Sequence, residues 1–187
     1  MGKEKKCTLY KKYTSYKKCI PYLILAGFTF FFCWWFVGRH GIFGAKVDWL
    51  SQHSVLPDYF RQQFYATGKI FPEFAPNLGG GQNIYHFAYY GLYSPLILPS
   101  YLLPFVKMSD YIMVISITGL TVSVLLFYYW LKSRKMDTGV AFIISLMFLL
   151  AGPMIGQYSG QIMFVDYMPF LCCLLYTSPS PRDRSLS

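Results

Sequence analysis

The chain has 187 residues, a formal net charge of +9 and 55% apolar residues, while only 13% of its residues are charged. A soluble domain usually carries about 25% charged residues, so this composition argues against a soluble globular protein and indicates a lipid-embedded chain. Seven of the seventeen basic residues precede Ile20, but neither a basic helix nor an aromatic RNA-binding motif accompanies them, which argues against a nucleic-acid partner.

The N-terminal part combines a basic arm (residues 1–19) with an uncharged apolar segment (residues 20–38). At about 1.5 Å per residue, the apolar segment is long enough to cross a bilayer core of roughly 30 Å as a helix. No small-residue cleavage site follows it, so we predict a transmembrane helix rather than a signal peptide. The positive-inside rule then places the N-terminus in the cytoplasm.

Residues 39–92 are predicted to form an outer loop with short interfacial helices. One helix is expected to begin near Asp48, because a carboxylate is favoured at a helix N-terminus. A second helix is predicted over residues 58–67, with Gly68 as its stop. The glycines at 79–81 allow tight turns, and since no Lys-Ser/Thr pair follows them, a phosphate-binding P-loop is excluded.

The segment 93–107 determines the predicted topology. It is apolar but short for a full span, and Pro95, Pro99 and Pro104 are poorly suited to an unbroken helix. We predict a reentrant or interfacial segment that returns to the outer face. The basic cluster Lys132-Ser133-Arg134-Lys135 then lies in the cytoplasm, as the positive-inside rule expects; a segment that crossed the membrane would place it outside.

The hydropathy of the remaining chain predicts a transmembrane helix at 110–131, a cytoplasmic loop at 132–138, a transmembrane helix at 139–156, a second outer loop at 157–166 and the start of a truncated helix at 167–172. Residues 173–187 resemble the translation of a common transposase sequencing adapter. We expect them to be a read-through artefact rather than a native Ser/Pro-rich linker. The predicted fold class is an all-α, polytopic transmembrane protein that is truncated before its natural end.

Cysteine and histidine spacing predicts no structural metal. The five cysteines show no Cys-x-x-Cys spacing and no histidine at zinc-ligand spacing, so disulfides are not predicted either. We interpret His40, His53 and His86 as interfacial or hydrogen-bonded residues. Asp110 is expected to cap the second span, because a charge at mid-membrane costs roughly 2.5–3.5 kcal/mol.

Four motifs follow one another along the chain in this order: Asp48-Trp49-Leu50-Ser51-Gln52-His53, Gly79-Gly80-Gly81-Gln82-Asn83, Tyr89-Tyr90-Gly91-Leu92-Tyr93-Ser94-Pro95, and residues 159–169 with Asp166. This succession resembles the start of the YfhO family of bacterial membrane proteins. That family is similar to the GT-C superfamily of polyprenyl-phosphate-sugar-dependent glycosyltransferases. The resemblance covers about residues 20–172 and implies a GT-C-like N-terminal module.

The resemblance implies sugar transfer at the outer face of the bacterial cytoplasmic membrane. The donor would be a polyprenyl-phosphate-linked sugar, and the acceptor an envelope polymer such as lipoteichoic acid. Asp48 takes the place of the active-centre Asp in the first outer loop, and Asp166 matches the acidic motif after the third span. We interpret Asp48 as a general base and Asp166 as a supporting or metal-site carboxylate. The alternative for each is a loop residue that caps a helix.

The cofactor and the cations of this site stay open at the level of sequence. Asp166 has no acidic neighbour, so the metal ligands are unknown, and a divalent cation is one candidate for the cofactor. Positive charge is needed at the departing lipid phosphate. The first loop offers four side chains for this role, namely Arg39, Lys46, Arg61 and Lys69.

Two other classes of protein fit the same sequence pattern. A transporter or flippase of a lipid-linked substrate would use a similar polar cavity without bond chemistry, and a membrane scaffold would need no substrate. Because the fourth span is expected to be incomplete, the chain by itself is predicted to be inactive as an enzyme. Membrane lipid is a partner under all three interpretations.

Overall fold

The computed structural model describes the backbone of residues 2–40, 44, 46–154 and 160–177, and their side chains except those of 2–17, 40, 46 and 162–166. The described chain is mostly helical, with α-helices α1 Gly2–His40, α2 Lys46–Asp48, α3 Val55–Thr67, α4 Met108–Ser133, α5 Thr138–Leu149 and α6 Ile162–Thr177. Shorter elements complete it: a π-helix Trp49–His53, strands β1 Phe74–Ala75 and β2 Gln82–Asn83, and 3₁₀-helices Ile84–Tyr90 and Leu98–Leu102.

Helix α4 lies at the centre of the helical bundle and contacts α1, α5 and α6. Among the described residues, two helical stretches are long and apolar enough to cross a membrane, Lys18–Arg39 within α1 and Met108–Ser133. The apolar window of α4 is 44% buried and that of α1 is 17% buried, so α4 is the inner helix and α1 leaves most of its surface exposed. Large apolar side chains on that surface, such as Leu23 and Trp34, suit contact with lipid.

Buried hydroxyl groups on these helices are satisfied within their own helix. Ser116, Thr121 and Ser123 of α4 donate to the carbonyl oxygens four residues earlier at 2.6–2.8 Å. Thr29 and Ser145 do the same in α1 and α5, at 2.8 Å. Because no water is available in a bilayer core, such internal hydrogen bonds make small polar residues acceptable between packed helices.

Helices α1 and α4 run antiparallel. The ring of Tyr22, near the start of the apolar stretch of α1, lies edge-on against Tyr128 near the end of α4, with 4.8 Å between ring centroids. At the same end, Lys132 Nζ donates to the carbonyl oxygen of Met136 and to Thr138 Oγ1, which joins the end of α4 to the start of α5. The chain between α1 and α4 therefore leaves and returns at one end of this helix pair.

Residues 46–107 cover the end of the helix pair that is opposite Tyr22 and Tyr128. We call this segment the cap. Strands β1 and β2 pair antiparallel, with Phe74 opposite Asn83. The connection contains Gly79, Gly80 and Gly81, all with positive φ between 57° and 95°, which glycine adopts without steric cost. The glycine turn is as the sequence predicted, whereas the strand pair was not predicted.

Helix α3 begins three residues earlier than predicted and ends where predicted. Pro57 lies in its first turn, where the missing N–H would have had no helical partner, so Val55 can begin the helix. Gly68 terminates it with φ of 71°, and its N–H donates to Phe64 O at 2.8 Å. The C-terminal stop is thus a left-handed glycine cap.

The proline-containing segment 93–107 forms turns and a short 3₁₀-helix rather than a spanning helix. Its carbonyl oxygens accept hydrogen bonds from side chains of the neighbouring helices α3 and α4. Arg61 Nη1 donates to Leu103 O at 3.2 Å and to Val106 O at 2.9 Å. Tyr111 donates to Leu96 O at 2.7 Å, and Tyr65 donates to the carbonyl oxygen of Tyr101.

Several predicted boundaries differ from the structure. Helix α1 begins at Gly2, so the basic arm continues into the first span as one helix. Asp110 lies exposed in the first turn of α4 and is not its cap, because the helix starts at Met108 after Lys107.

The predicted helix 139–156 and the predicted loop 157–166 were both wrong in extent. Helix α5 ends at Leu149, and helical backbone resumes at Gly152 after a break at Leu150 and Ala151; residues 155–159 lie outside the described residues. Helix α6 already begins at Ile162, which places Asp166 on a helix, and it continues to Thr177.

Replacement of Arg61 by Gln is expected to destabilise the cap. Arg61 is buried, and its loss would leave two carbonyl oxygens and the carboxylate of Asp58 without their guanidinium donor, at a cost of about 2–4 kcal/mol. The measurement is thermal unfolding in detergent. Lys69→Gln is the control, because its ion pair with Glu73 is exposed and 3.8 Å long. Equal stability of the two variants would contradict the assigned role of Arg61.

The antiparallel α1–α4 pair also predicts which positions share a side of the membrane. In a cysteine-free background, single cysteines at Lys18 and Lys135 should react with an impermeant maleimide from one side. Cysteines at Lys69 and Lys107 should react from the opposite side. Labelling of positions 18 and 135 from opposite sides would show that the segment 93–107 crosses the bilayer.

Candidate functional site

Asp48 lies in the cap at the junction between α2 and the π-helix Trp49–His53. The wider π-helical turn is closed by the N–H of Ser54, which donates to Trp49 O at 3.0 Å. Single π-helical turns are rare and occur frequently at functional sites. The sequence predicted a helix beginning near Asp48, but not this widened turn.

A chain of hydrogen bonds joins Tyr90 to Asp48 through Gln52. The hydroxyl of Tyr90 donates to Gln52 Oε1, and Gln52 Nε2 lies 3.5 Å from Asp48 Oδ1, at the long limit of a hydrogen bond. Because the hydroxyl of Tyr90 binds the amide oxygen of Gln52, the amide nitrogen of Gln52 is directed towards the carboxylate of Asp48. Within the described contacts only Oδ1 of Asp48 is engaged, so Oδ2 is the oxygen available to a substrate proton.

His53 and Tyr90 form the buried side of this site. Their rings lie 5.3 Å apart, and the ring of Trp49 lies 6.0 Å from that of His53. Burial lowers the pKa of His53, an effect that the nearby charge of Asp48 only partly opposes, so His53 is neutral at pH 7. Burial, the hydroxyl of Tyr89 and the charge of Asp48 together raise the pKa of Tyr90 to about 12.

One nitrogen of His53 is an unsatisfied polar atom. Nδ1 is buried and has no hydrogen-bond partner among the described residues. An unpaired buried polar atom costs roughly 1–3 kcal/mol, so such atoms in native proteins call for a specific explanation. A ligand or an ordered water beside Asp48 would satisfy it.

The second predicted carboxylate, Asp166, lies on α6, and its side chain falls outside the described residues. The structure links α6 to the Asp48 site through a third element. Helix α6 contacts the 3₁₀-helix Ile84–Tyr90, whose last residue is bonded to Gln52. Ring contact of Tyr129 with Tyr176 shows that α6 runs parallel to α4, so Asp166 is near the cap end.

Three of the four cations suggested by the sequence are already engaged. Arg61 binds the proline-containing segment and Asp58, the latter at 2.6 Å. Lys69 pairs with Glu73, and the guanidinium of Arg39 lies 5.4 Å from the ring centroid of Trp35. The side chain of the fourth, Lys46, is outside the described residues.

A cleft of about 400 Å³ adjoins the site and contains further positive charge. Lys107 lines it together with the ion pair of Arg61 and Asp58, and so does Ser54, which directly follows the π-helix. Met108 and Ser109 also line it, and they are the first residues of α4, where free backbone N–H groups and the helix dipole favour an anion. The cleft is suited to a phosphate group.

Metal ligation is not evident in this part of the chain. Among the described residues, no group of three or more His, Cys, Asp or Glu side chains could hold a metal ion. Asp48 with the neighbouring amide of Gln52 is too small a donor set for a divalent cation, which prefers several oxygen ligands.

Sequence reasoning missed Gln52, Tyr90 and Lys107 as parts of the site. Gln52 could have been found, because it is four residues after Asp48 and lies on the same side of a helix. Tyr90 could not have been found, because no local signal connects it with a residue 38 positions earlier. Lys107 becomes relevant only once the segment before it folds back.

Taken together, the apolar helices and the polar cap define a helical membrane protein with a hydrogen-bonded carboxylate at one end of its bundle. A family model described as bacterial membrane protein YfhO matches residues 18–176. Because this match spans most of the chain, the chain belongs to the YfhO family, which confirms the resemblance seen in the sequence motifs. No curated protein and no solved structure matches the chain.

The lowered pKa of His53 predicts a pH-dependent stability of the cap. A histidine whose folded pKa lies below its ordinary 6.5 contributes full stability above that value and loses it as the pH falls. We expect the unfolding temperature to drop by about 2–4 °C more between about pH 7.5 and 5.5 in the wild type than in His53→Gln. His86→Gln, which changes an exposed ring, is the control. A pH dependence in His53→Gln equal to that of the wild type would contradict the prediction.

Proposed function

We propose that this protein transfers a sugar from a polyprenyl-phosphate donor to a cell-envelope polymer such as lipoteichoic acid, at the outer face of the cytoplasmic membrane. Under this proposal the chain is multi-pass, its N-terminus is cytoplasmic and the cap faces outwards. The observation that carries the proposal is the carboxylate of Asp48, oriented by Gln52 and Tyr90 beside a cleft that suits a phosphate. Membership of the YfhO family supports a membrane location.

Asp48 is the proposed general base. Attack by a hydroxyl of the acceptor on the anomeric carbon requires that the hydroxyl lose its proton in the transition state. With Oδ1 of Asp48 directed towards Gln52, Oδ2 accepts this proton. Tyr90 stays protonated at neutral pH because its pKa is raised to about 12, so it continues to hold the Gln52 amide throughout.

The leaving group of the reaction is the lipid phosphate. As the bond between the anomeric carbon and the phosphate oxygen breaks, negative charge develops on that oxygen and needs stabilisation. Lys107 and the first residues of α4 line the adjoining cleft and supply this stabilisation in the proposal. Asp166 is proposed to support the site from α6. A divalent cation held by residues outside the described part of the chain stays a candidate cofactor.

Replacement of Asp48 by Asn at the chromosomal locus tests the proposal. Asn keeps an oxygen for the Gln52 amide but cannot accept a proton, so the fold should persist while sugar transfer falls about 10²-fold or more. The measurement is the sugar content of lipoteichoic acid, normalised to the amount of the protein in membranes.

Glu73→Gln is the matched control, since it neutralises an exposed carboxylate of the same cap. Its glycosylation should equal that of the wild type. Unchanged glycosylation in Asp48→Asn, at normal protein level, would remove Asp48 from the mechanism. It would then favour transport of a lipid-linked substrate or a scaffold role.

A further inference from the structure

At the end of the bundle opposite the cap, α1, α4 and α5 enclose a cavity of about 410 Å³. This volume lies within the range of roughly 300–1,000 Å³ that is typical of ligand pockets. The cavity lies between membrane-spanning helices and is not part of the site around Asp48. Its lining residues are Lys18, Pro21, Tyr22, Tyr128, Tyr129, Lys132, Ser133 and Thr138.

The lining of this cavity changes character along the helix axis. Lys18 lies at the start of the apolar stretch of α1, whereas Lys132, Ser133 and Thr138 lie where α4 ends and α5 begins. All of these side chains except Lys132 are exposed. The aromatic rings lie deeper along the helices, with Tyr22 packed edge-on against the buried Tyr128. A cationic and hydroxyl-bearing rim above an aromatic wall matches a ligand with a charged head and an apolar body.

The rim carries excess positive charge. Neither Lys18 nor Lys132 lies within ion-pair distance of a described carboxylate. Lys132 Nζ uses two of its three protons on Met136 O and Thr138 Oγ1, so its third proton can serve a ligand. The carboxylate of Asp137 accepts from the N–H groups of Gly139 and Val140, and these hydrogen bonds chiefly lower its pKa, with a smaller contribution from the charge of Lys132.

We propose that this cavity binds the headgroup of an anionic phospholipid. The phosphate diester would lie at the rim between Lys18 and Lys132, with Thr138 donating a hydrogen bond, and the glycerol and acyl chains would follow the aromatic wall into the bilayer. Helix α4 ends at Ser133, so the rim is at the depth where a spanning helix meets the headgroups. Basic pockets between helices on the cytoplasmic side are known to recognise such lipids.

The test uses the whole chain in nanodiscs made from equal parts of phosphatidylcholine and phosphatidylglycerol. After extraction into detergent, mass spectrometry measures the ratio of the two lipids retained by the protein. The wild type should be enriched in phosphatidylglycerol. Lys18→Gln with Lys132→Gln should reduce that enrichment about tenfold or more, because each lysine near the surface contributes of the order of 1 kcal/mol.

Arg39→Gln with Lys69→Gln is the matched control, since it removes the same number of charges at the cap end. It should retain phosphatidylglycerol within about twofold of the wild type. Because Lys132 also joins α4 to α5, the single variant Lys18→Gln, at an exposed position, provides a fold-neutral test and should lose about threefold to fivefold.

Three results would overturn the proposal. The first is equal retention of phosphatidylglycerol by Lys18→Gln and the wild type. The second is no preference of the wild type for phosphatidylglycerol over phosphatidylcholine. The third is displacement of phosphatidylglycerol by inorganic phosphate at equal concentration, which would identify a site for a free anion rather than for a lipid. Because the assay does not involve Asp48, its outcome is independent of the proposed glycosyl transfer.

Discussion

The structure depends on how the proline-containing segment 93–107 satisfies its backbone. Its prolines remove N–H donors, so the segment cannot pair its carbonyl oxygens within a regular helix, and unpaired carbonyls are costly in lipid. Turns within the segment pair some of these carbonyl oxygens, and further donors come from Arg61, Tyr65 and Tyr111. All three belong to helices that contact the segment, so the segment is stable only as a layer on top of the bundle. These contacts favour the prediction that the segment returns to one face of the membrane.

The positions of both polar regions of the protein follow from that return. Because the chain comes back to the end that it left, α4 runs antiparallel to α1 and begins under the cap. The first N–H groups of α4 then face the cleft beside the Asp48 site, while Lys132 at its other end comes close to the start of the apolar stretch of α1. A crossing segment would have separated these groups, and neither the phosphate-suited cleft nor the cationic cavity would exist.

The sequence predicted the features that depend on local composition. It did not predict contacts between residues that lie far apart in the chain. Uncharged stretches identified the spans in α1 and α4, and Gly68 marked the end of α3. The role of Arg61 could not be predicted from the sequence. The backbone carbonyl oxygens that it binds belong to residues more than 40 positions later, and its charge had suggested that it binds a phosphate. Tyr90 escaped prediction for the same reason.

The described carboxylates of the cap are not equivalent as proton acceptors, and their contacts favour Asp48. Both oxygens of Asp58 already accept hydrogen bonds, from Arg61 at 2.6 Å and from Gln62 at 2.8 Å, so a substrate hydroxyl would have to displace a strong donor. Glu73 is exposed beside Lys69, where water would compete for any proton transfer. Asp48 combines partial burial with a single long contact to a neutral amide. It is therefore held in place while one oxygen stays available, which is the arrangement that a general base needs.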